Sequence, residues 1–404
     1  MKLTDLTSSP NALREHYSRF RAADRLLLTG HSHQAWPDAA LDGIAESFAV
    51  AANDVDHKWD HAMAKADEVR HAVRSWLHDS DATIALGSSV HDLLIRIFSS
   101  IGLLGPGIQP PKRSTVMTTD MEFHSSDRQL RRMAEEGLTV DIVPAAPAST
   151  LVERMIDRCD SDTAAVILSS AMFTTSQLVP HLDQLAEHTE KVGTELIVDA
   201  YHHVGPAVFS VPELGLHHAW VVGGGYKYLQ WGEAVCYARI PDHATSMRPV
   251  VTGWQAAFGA LSGSTPEAEV AYGPGAQRFA GSTYDPTSHY RAARVAQFFT
   301  EAGLTPKFLA EVYQHQLAVL IESFDAIGVP ESVVRRDFER PVHETAGFLS
   351  LITPHASQLQ ERLMSRGLYT DARREYLRFG PAPYLSDDKL RESMAIFQSV
   401  LTEL

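Results

Sequence analysis

Glu195-Leu-Ile-Val-Asp199-Ala-Tyr-His202-His203 and Trp220-Val-Val-Gly-Gly-Gly-Tyr226-Lys227-Tyr228-Leu229 are the stretches whose reading decides the fold. Each is a short apolar run that stops at a polar or glycine-rich turn, the pattern of a buried strand opening into a loop. Both side chains that follow, Asp199 and Lys227, therefore emerge at the same rim of a parallel sheet. Outward from this pair, further strand-like runs cover Thr83 to Leu86, Ser114 to Thr118, Thr139 to Val143, Ala164 to Ser169 and Ala234 to Ile240. Segments of helical periodicity such as Leu182 to Val192 lie between them. Alternation of this kind predicts an α/β fold, a mainly parallel seven-stranded sheet covered by helices on both faces.

The pattern changes after residue 288. Helical stretches at Tyr290 to Ala302 and Pro306 to Ile327 precede a strand at Gly347 to Ile352 and a helix near Ser357 to Arg366. Short strands around Leu368 and Leu377 and a last helix from Asp387 to Leu404 complete the chain. The expected organisation is a large α/β domain over 50–288, and a smaller α+β domain built from 1–49 and 289–404. No internal repeat is visible.

A carboxylate and an amine at one sheet rim suit pyridoxal phosphate (PLP). The amine forms a Schiff base with its aldehyde, and the carboxylate keeps the ring nitrogen protonated so that the ring accepts electrons. A phosphate group needs free backbone amides at a helix start, and Gly87-Ser88-Ser89, after the first strand of the sheet, supplies them. Phe123, in Asp120-Met-Glu-Phe123-His124-Ser125-Ser126, follows the next strand and is placed to stack on the ring.

These segments resemble known enzymes. Asp199-x-x-His202 followed by Gly225-Tyr226-Lys227-Tyr228-Leu229 is similar to the cofactor segment of kynureninases, class V enzymes of PLP fold type I. The resemblance extends to Arg278-Phe279-x-Gly281-Ser282-Thr283 and to Thr370-Asp371-x-Arg373 leading into Leu377-Arg378-Phe379-Gly380-Pro381-Ala382-Pro383-Tyr384. It implies that Lys227 is the Schiff-base lysine, Asp199 the pyridinium partner and His202 a neighbour of the ring. By the same resemblance Tyr226 contacts the phosphate and relays protons, and Arg378 clamps the substrate α-carboxylate with its planar fork. Trp254, Ser282 and Thr283 match a stretch that reaches the phosphate across a dimer interface, which implies a homodimer with shared active sites. Three segments depart from the kynureninase pattern: His31-Ser32-His33-Gln34, Met172-Phe173-Thr174-Thr175-Ser176 and Gly253-Trp254-Gln255-Ala256-Ala257. His31, Ser32 and His33 fall where substrate-facing residues lie. Cofactor residues kept and substrate residues changed imply a hydrolase or lyase acting on an amino acid other than kynurenine, with an aminotransferase or epimerase as the alternative.

Composition bounds this reading. The 404 residues are 44% hydrophobic with a net charge of −15. Phosphate backbones need clustered Lys and Arg, and here only doublets such as Arg131-Arg132 and Arg373-Arg374 occur, so no nucleic-acid partner is expected. No apolar stretch reaches the roughly 18 residues that span a bilayer, and Met1-Lys-Leu-Thr-Asp-Leu has no signal core. A soluble cytoplasmic protein with no membrane partner and with reduced Cys159 and Cys236 is the expectation. Two further readings belong to other classes. Leu26 to His33 resembles a strand ending in His-x-His, which in a metal-dependent hydrolase would make His31 and His33 ligands. With 20 histidines such pairs arise by chance, and no metal is expected. A non-catalytic binding module would have little use for both Lys227 and Arg378.

Overall fold

The computed structural model describes residues 1–104, 113–260, 269–336 and 341–404. In chain order its strands are β1 (Leu26–Leu27), β2 (Thr83–Gly87), β3 (Thr115–Thr119), β4 (Thr139–Val143), β5 (Thr163–Ser169), β6 (Glu195–Asp199), β7 (Trp220–Gly224), β8 (Cys236–Ile240), β9 (Arg335–Arg336), β10 (Leu349–Ile352), β11 (Leu368–Tyr369), β12 (Asp371–Arg373) and β13 (Tyr376–Phe379). Seven of them form one sheet in the order β2-β8-β7-β6-β5-β3-β4. The strands β3 to β7 run parallel to their neighbours in that group. β8 is antiparallel to both β2 and β7, so β2 points the same way as the parallel set.

All seven expected strands are present, with ends shifted by at most two residues. The last begins at Cys236 rather than Ala234, because Ala234 has φ 66° and breaks the extended backbone there. Successive side chains supply the core of opposite faces: Val116, Ile197, Trp220 and Val222 pack on one side, Met117, Leu196, Val198 and Val221 on the other. Burial on both faces is why these strands read as continuous apolar runs. Helices close the layers. Leu182–Val192 stops at Gly193, whose φ of 70° no branched side chain tolerates well, and Pro306–Asp325 starts at Thr305, whose hydroxyl accepts from the Phe308 N–H.

The tail folds on a second, antiparallel sheet in the order β12-β13-β10-β9. The amino-terminal segment is threaded against it: β1 runs parallel to β11, and the Gly30 N–H and the Gly380 carbonyl bond at 2.9 Å. That pairing carries His31 to the buried face of β13. One apolar cluster runs from Leu6 and Tyr17 through Val198 to Phe397, so the two parts of the chain share a core. Among the described residues, no helix is long and apolar enough to cross a membrane.

The consequence for function is positional. Gly87, Gly224 and Cys236 pair at one level of the sheet, so the carboxyl ends of β2, β3, β5, β6 and β7 open at the same edge. In open α/β sheets that edge holds the ligand.

Candidate active site

Two turns present the central pair. After β6 the Asp199 carboxylate accepts the Tyr201 N–H at 2.9 Å, which fixes the side chain at the strand exit. After β7 the chain turns tightly, with Trp231 N–H donating to the Gly225 carbonyl at 2.8 Å. Gly225 is needed there, because a Cβ would lie 2.4 Å from the Trp231 ring. The turn drives Lys227 inward. Its side chain is buried, with Nζ 2.7 Å from His202 Nε2, 4.5 Å from the Tyr201 ring centroid and 5.3 Å from that of Phe123.

These groups tune one another. Burial pulls the Lys227 amine down to about 7, against the opposing attraction of Asp199. Burial, with the Lys227 cation beside it, holds His202 well below the usual imidazole range, so its ring is neutral. Its Nδ1 is a buried atom with no partner among the described residues. Burial raises Asp199 above the usual carboxyl range, and the Tyr201 amide and Lys227 oppose that rise. Burial also pushes Tyr226 up to about 12, leaving its phenol protonated at neutral pH.

A cavity of about 230 Å³ joins the residues that the sequence singled out: Ser88, Ser89, Phe123, Asp199, His202, Tyr226 and Lys227 all line it. Gly87 lies at the end of β2 just before the lining turn, outside the lining itself. Ser89 caps the helix Val90–Ser100, its hydroxyl accepting from the Asp92 N–H at 3.0 Å. Phe123 keeps 36% of its surface exposed and meets Phe173 edge-on at 5.9 Å. A larger groove, about 740 Å³, follows the helix His124–Glu135, but its charges, such as Arg131 and Asp127, pair with each other in solvent.

Sequence reading missed Tyr201, Ser169, Phe173, Cys236 and Glu233 as lining residues. Tyr201 stood between Asp199 and His202, and Phe173 stood in one of the departing segments; both positions were signals.

A second buried cluster stands behind Phe173. Arg378 on β13 donates one Nη to the Asp371 carboxylate and the other to the Phe173 carbonyl, while its Nε has no partner among the described residues. His31 stacks on Phe348 at 4.6 Å, with Nε2 3.6 Å from Asp371. Burial, with Arg378 adding to it, lowers His31 to about 3, so it is neutral. Burial would raise Asp371, but its contact with His31 and the Arg378 cation outweigh that and hold it at about 2. Neither Arg378 nor His31 lines the cavity. Ser32 turns back to the Thr29 carbonyl at 3.1 Å, and His33 is exposed with its ring 5.5 Å from Tyr226. Among the described residues, no three His, Cys, Asp or Glu side chains are arranged to hold a metal ion.

Trp254, Ser282 and Thr283 come together elsewhere. The Trp254 indole donates to the Thr283 hydroxyl at 3.0 Å, and Ser282 and Thr283 are exposed, away from the lining of the chain's own cavity.

A mainly parallel seven-stranded sheet, with an acid and a buried lysine at its carboxyl edge, defines the fold: it is that of PLP fold type I, as in the similar solved structures. No protein-family model matches the chain. It is 25% identical over 290 residues to an uncharacterized aminotransferase, YcbU, of Bacillus subtilis (strain 168), spanning 70% of this chain and 73% of that protein. Similar solved structures include a variant of C-DES, a cystine C–S lyase, with glycine covalently linked to its PLP cofactor (TM-score 0.81, 15% identity, 95% of this chain and 98% of that one). The apo cysteine desulfurase of Thermococcus onnurineus NA1 is another (TM-score 0.80, 14% identity, 98% of each chain). So is the cysteine desulfurase CsdA of Escherichia coli (TM-score 0.80, 13% identity, 98% and 99%).

Proposed function

We propose that the chain is a PLP-dependent enzyme acting on a free α-amino acid, and that it breaks a side-chain bond by kynureninase-like hydrolytic C–C cleavage or by β- or γ-elimination. The observation that carries this reading is the buried Lys227 amine, 2.7 Å from His202 and sharing one cavity with Asp199. The residues fit the cofactor. An aromatic face is offered by Phe123, hydroxyls by Ser88 and Ser89 at a helix start, and an unpartnered imidazole nitrogen by His202.

When bound, PLP supplies an electron sink for the carbanion left at Cα. Lys227 would hold it covalently and, once exchanged for substrate, take the Cα proton as a neutral amine. Asp199 would keep the proton on the ring nitrogen, and Tyr226 would stay a hydrogen-bond donor. Arg378 would take the substrate carboxylate on its guanidinium. The division into a cofactor-holding part, 50–288, and a substrate-closing part, 1–49 with 289–404, belongs to the same proposal. So does a homodimer in which Trp254, Ser282 and Thr283 serve the cavity of a second copy; their absence from the lining of their own cavity supports it.

Purified protein given PLP should turn yellow, with a band at roughly 410–430 nm. Borohydride should fix the label on the peptide that contains Lys227. A colourless protein, or a label on another lysine, overturns the reading. Capture of added PLP by the apoprotein should accelerate as pH rises through about 7, where the amine loses its proton, and level off above it. A rate that is flat across that value would show an amine of ordinary basicity.

Transamination is the second reading, favoured by the likeness to YcbU. A panel of amino acids separates the two: side-chain cleavage proceeds with the amino acid alone, whereas sustained transamination requires a keto-acid acceptor.

A further inference from the structure

Glu122 is a buried carboxyl that the proposed mechanism does not use. It lies beyond the end of β3, one residue before Phe123, and only 5% of its surface is exposed. Its Oε1 accepts from the Thr119 hydroxyl at 2.7 Å and from the Ser169 N–H at 3.1 Å. Its Oε2 accepts from the Ser169 hydroxyl at 2.6 Å when the carboxyl is ionised. Ser169 ends β5, pairs in register with Asp199 and lines the cavity. The groups that act on Glu122 are Ser169, Thr119 and Asp199, and none is a cation. Burial without a positive partner, with Asp199 adding to it, favours the uncharged acid and raises its pKa to about 7.

Protonation of this carboxyl allows the bond to the Ser169 hydroxyl to reverse. Oε1 already accepts two donors, so a proton taken up by the acid has its open place on Oε2, pointing at the Ser169 oxygen. A Ser169 oxygen that accepts from Glu122 no longer needs to donate to it, and its own O–H is released toward the cavity. We propose that Glu122 is a positioning residue which, as the protonated acid, turns the Ser169 hydroxyl into a hydrogen-bond donor for an oxygen of the bound cofactor. This inference rests on the PLP reading above.

Glutamine reproduces the protonated acid, because its NH₂ donates where Oε2–H does and its oxygen still accepts. Apoprotein titrated with PLP should therefore show E122Q within about twofold of the parent affinity, with the parent's visible band. E122A and S169A should each bind PLP about tenfold more weakly and shift the band in the same direction, the loss expected when one buried hydrogen bond is removed. The double variant should be no weaker than S169A, since both changes remove one interaction. E122Q behaving like E122A, or S169A keeping the parent affinity and band, overturns the proposal. If E122A fails to fold, E122Q and S169A alone still decide the matter. A colourless parent overturns the cofactor reading and this proposal together, whereas a yellow parent with unaffected variants overturns this proposal alone.

Discussion

Lys227→Ala should give a folded protein that stays colourless with added PLP and turns over amino acids on the order of 10³–10⁴-fold more slowly than the parent. The size of the effect follows from the two jobs given to one atom. In the proposed mechanism Nζ would be the covalent anchor and, once exchanged, the base for the Cα proton. Its nearest polar neighbour, His202 at 2.7 Å, cannot take over, since burial and the surrounding charge keep that imidazole a poor base. Stability offers an independent readout. Folding lowers the amine from the ordinary lysine range to about 7, so between those values the unfolded chain binds more protons than the folded one. The parent should therefore gain stability as pH rises from about 7 toward the ordinary lysine range. Alanine should flatten that slope, and urea denaturation of both apoproteins across the window measures it. A yellow Lys227→Ala protein with parent-like turnover would place the chemistry on another residue.

Much of the sheet was legible because its strands are buried on both faces and stand out as unbroken apolar runs between turn residues. Strand direction was less so. Periodicity does not distinguish a parallel strand from an antiparallel one, and β8 reverses only because the short turn after Lys227 leaves no room for a crossover helix. Asp199, Lys227, Phe123, Ser88 and Ser89 were visible since each follows its strand directly, and the topology opens those strand ends at one edge. Glu122 was not visible. A glutamate after a strand reads as a solvated loop residue, and Ser169, its hydrogen-bond partner, is 47 positions away. Arg378 gives the same lesson in reverse. Its identity suggested a carboxylate clamp, but its present acceptor, the Phe173 carbonyl, lies 205 positions away and no local pattern announces it.

That acceptor shapes what Arg378→Ala should do. The guanidinium is buried, divided between Asp371 and Phe173, and its Nε is free of any partner among the described residues. A substrate carboxylate would compete with the Phe173 carbonyl, a neutral acceptor, far more easily than with the charged Asp371. In the proposed mechanism the Asp371 pair would therefore stay, and the Phe173 contact would be the one exchanged. Arg378→Ala should weaken α-amino-acid binding by about 2–5 kcal/mol, the range for losing one partner of a buried charge pair. The yellow band should remain, because Lys227 and Asp199 are untouched. Arg378→Lys should recover only part of the loss, since a point charge cannot hold Asp371 and a carboxylate in one plane. The decisive comparison uses a primary amine that lacks the α-carboxylate. Parent and Arg378→Ala should react with it alike, while only the parent should prefer the amino acid. Equal preference in both proteins would assign the carboxylate to another cation and leave Arg378 as the group that joins β12, β13 and the Phe173 segment.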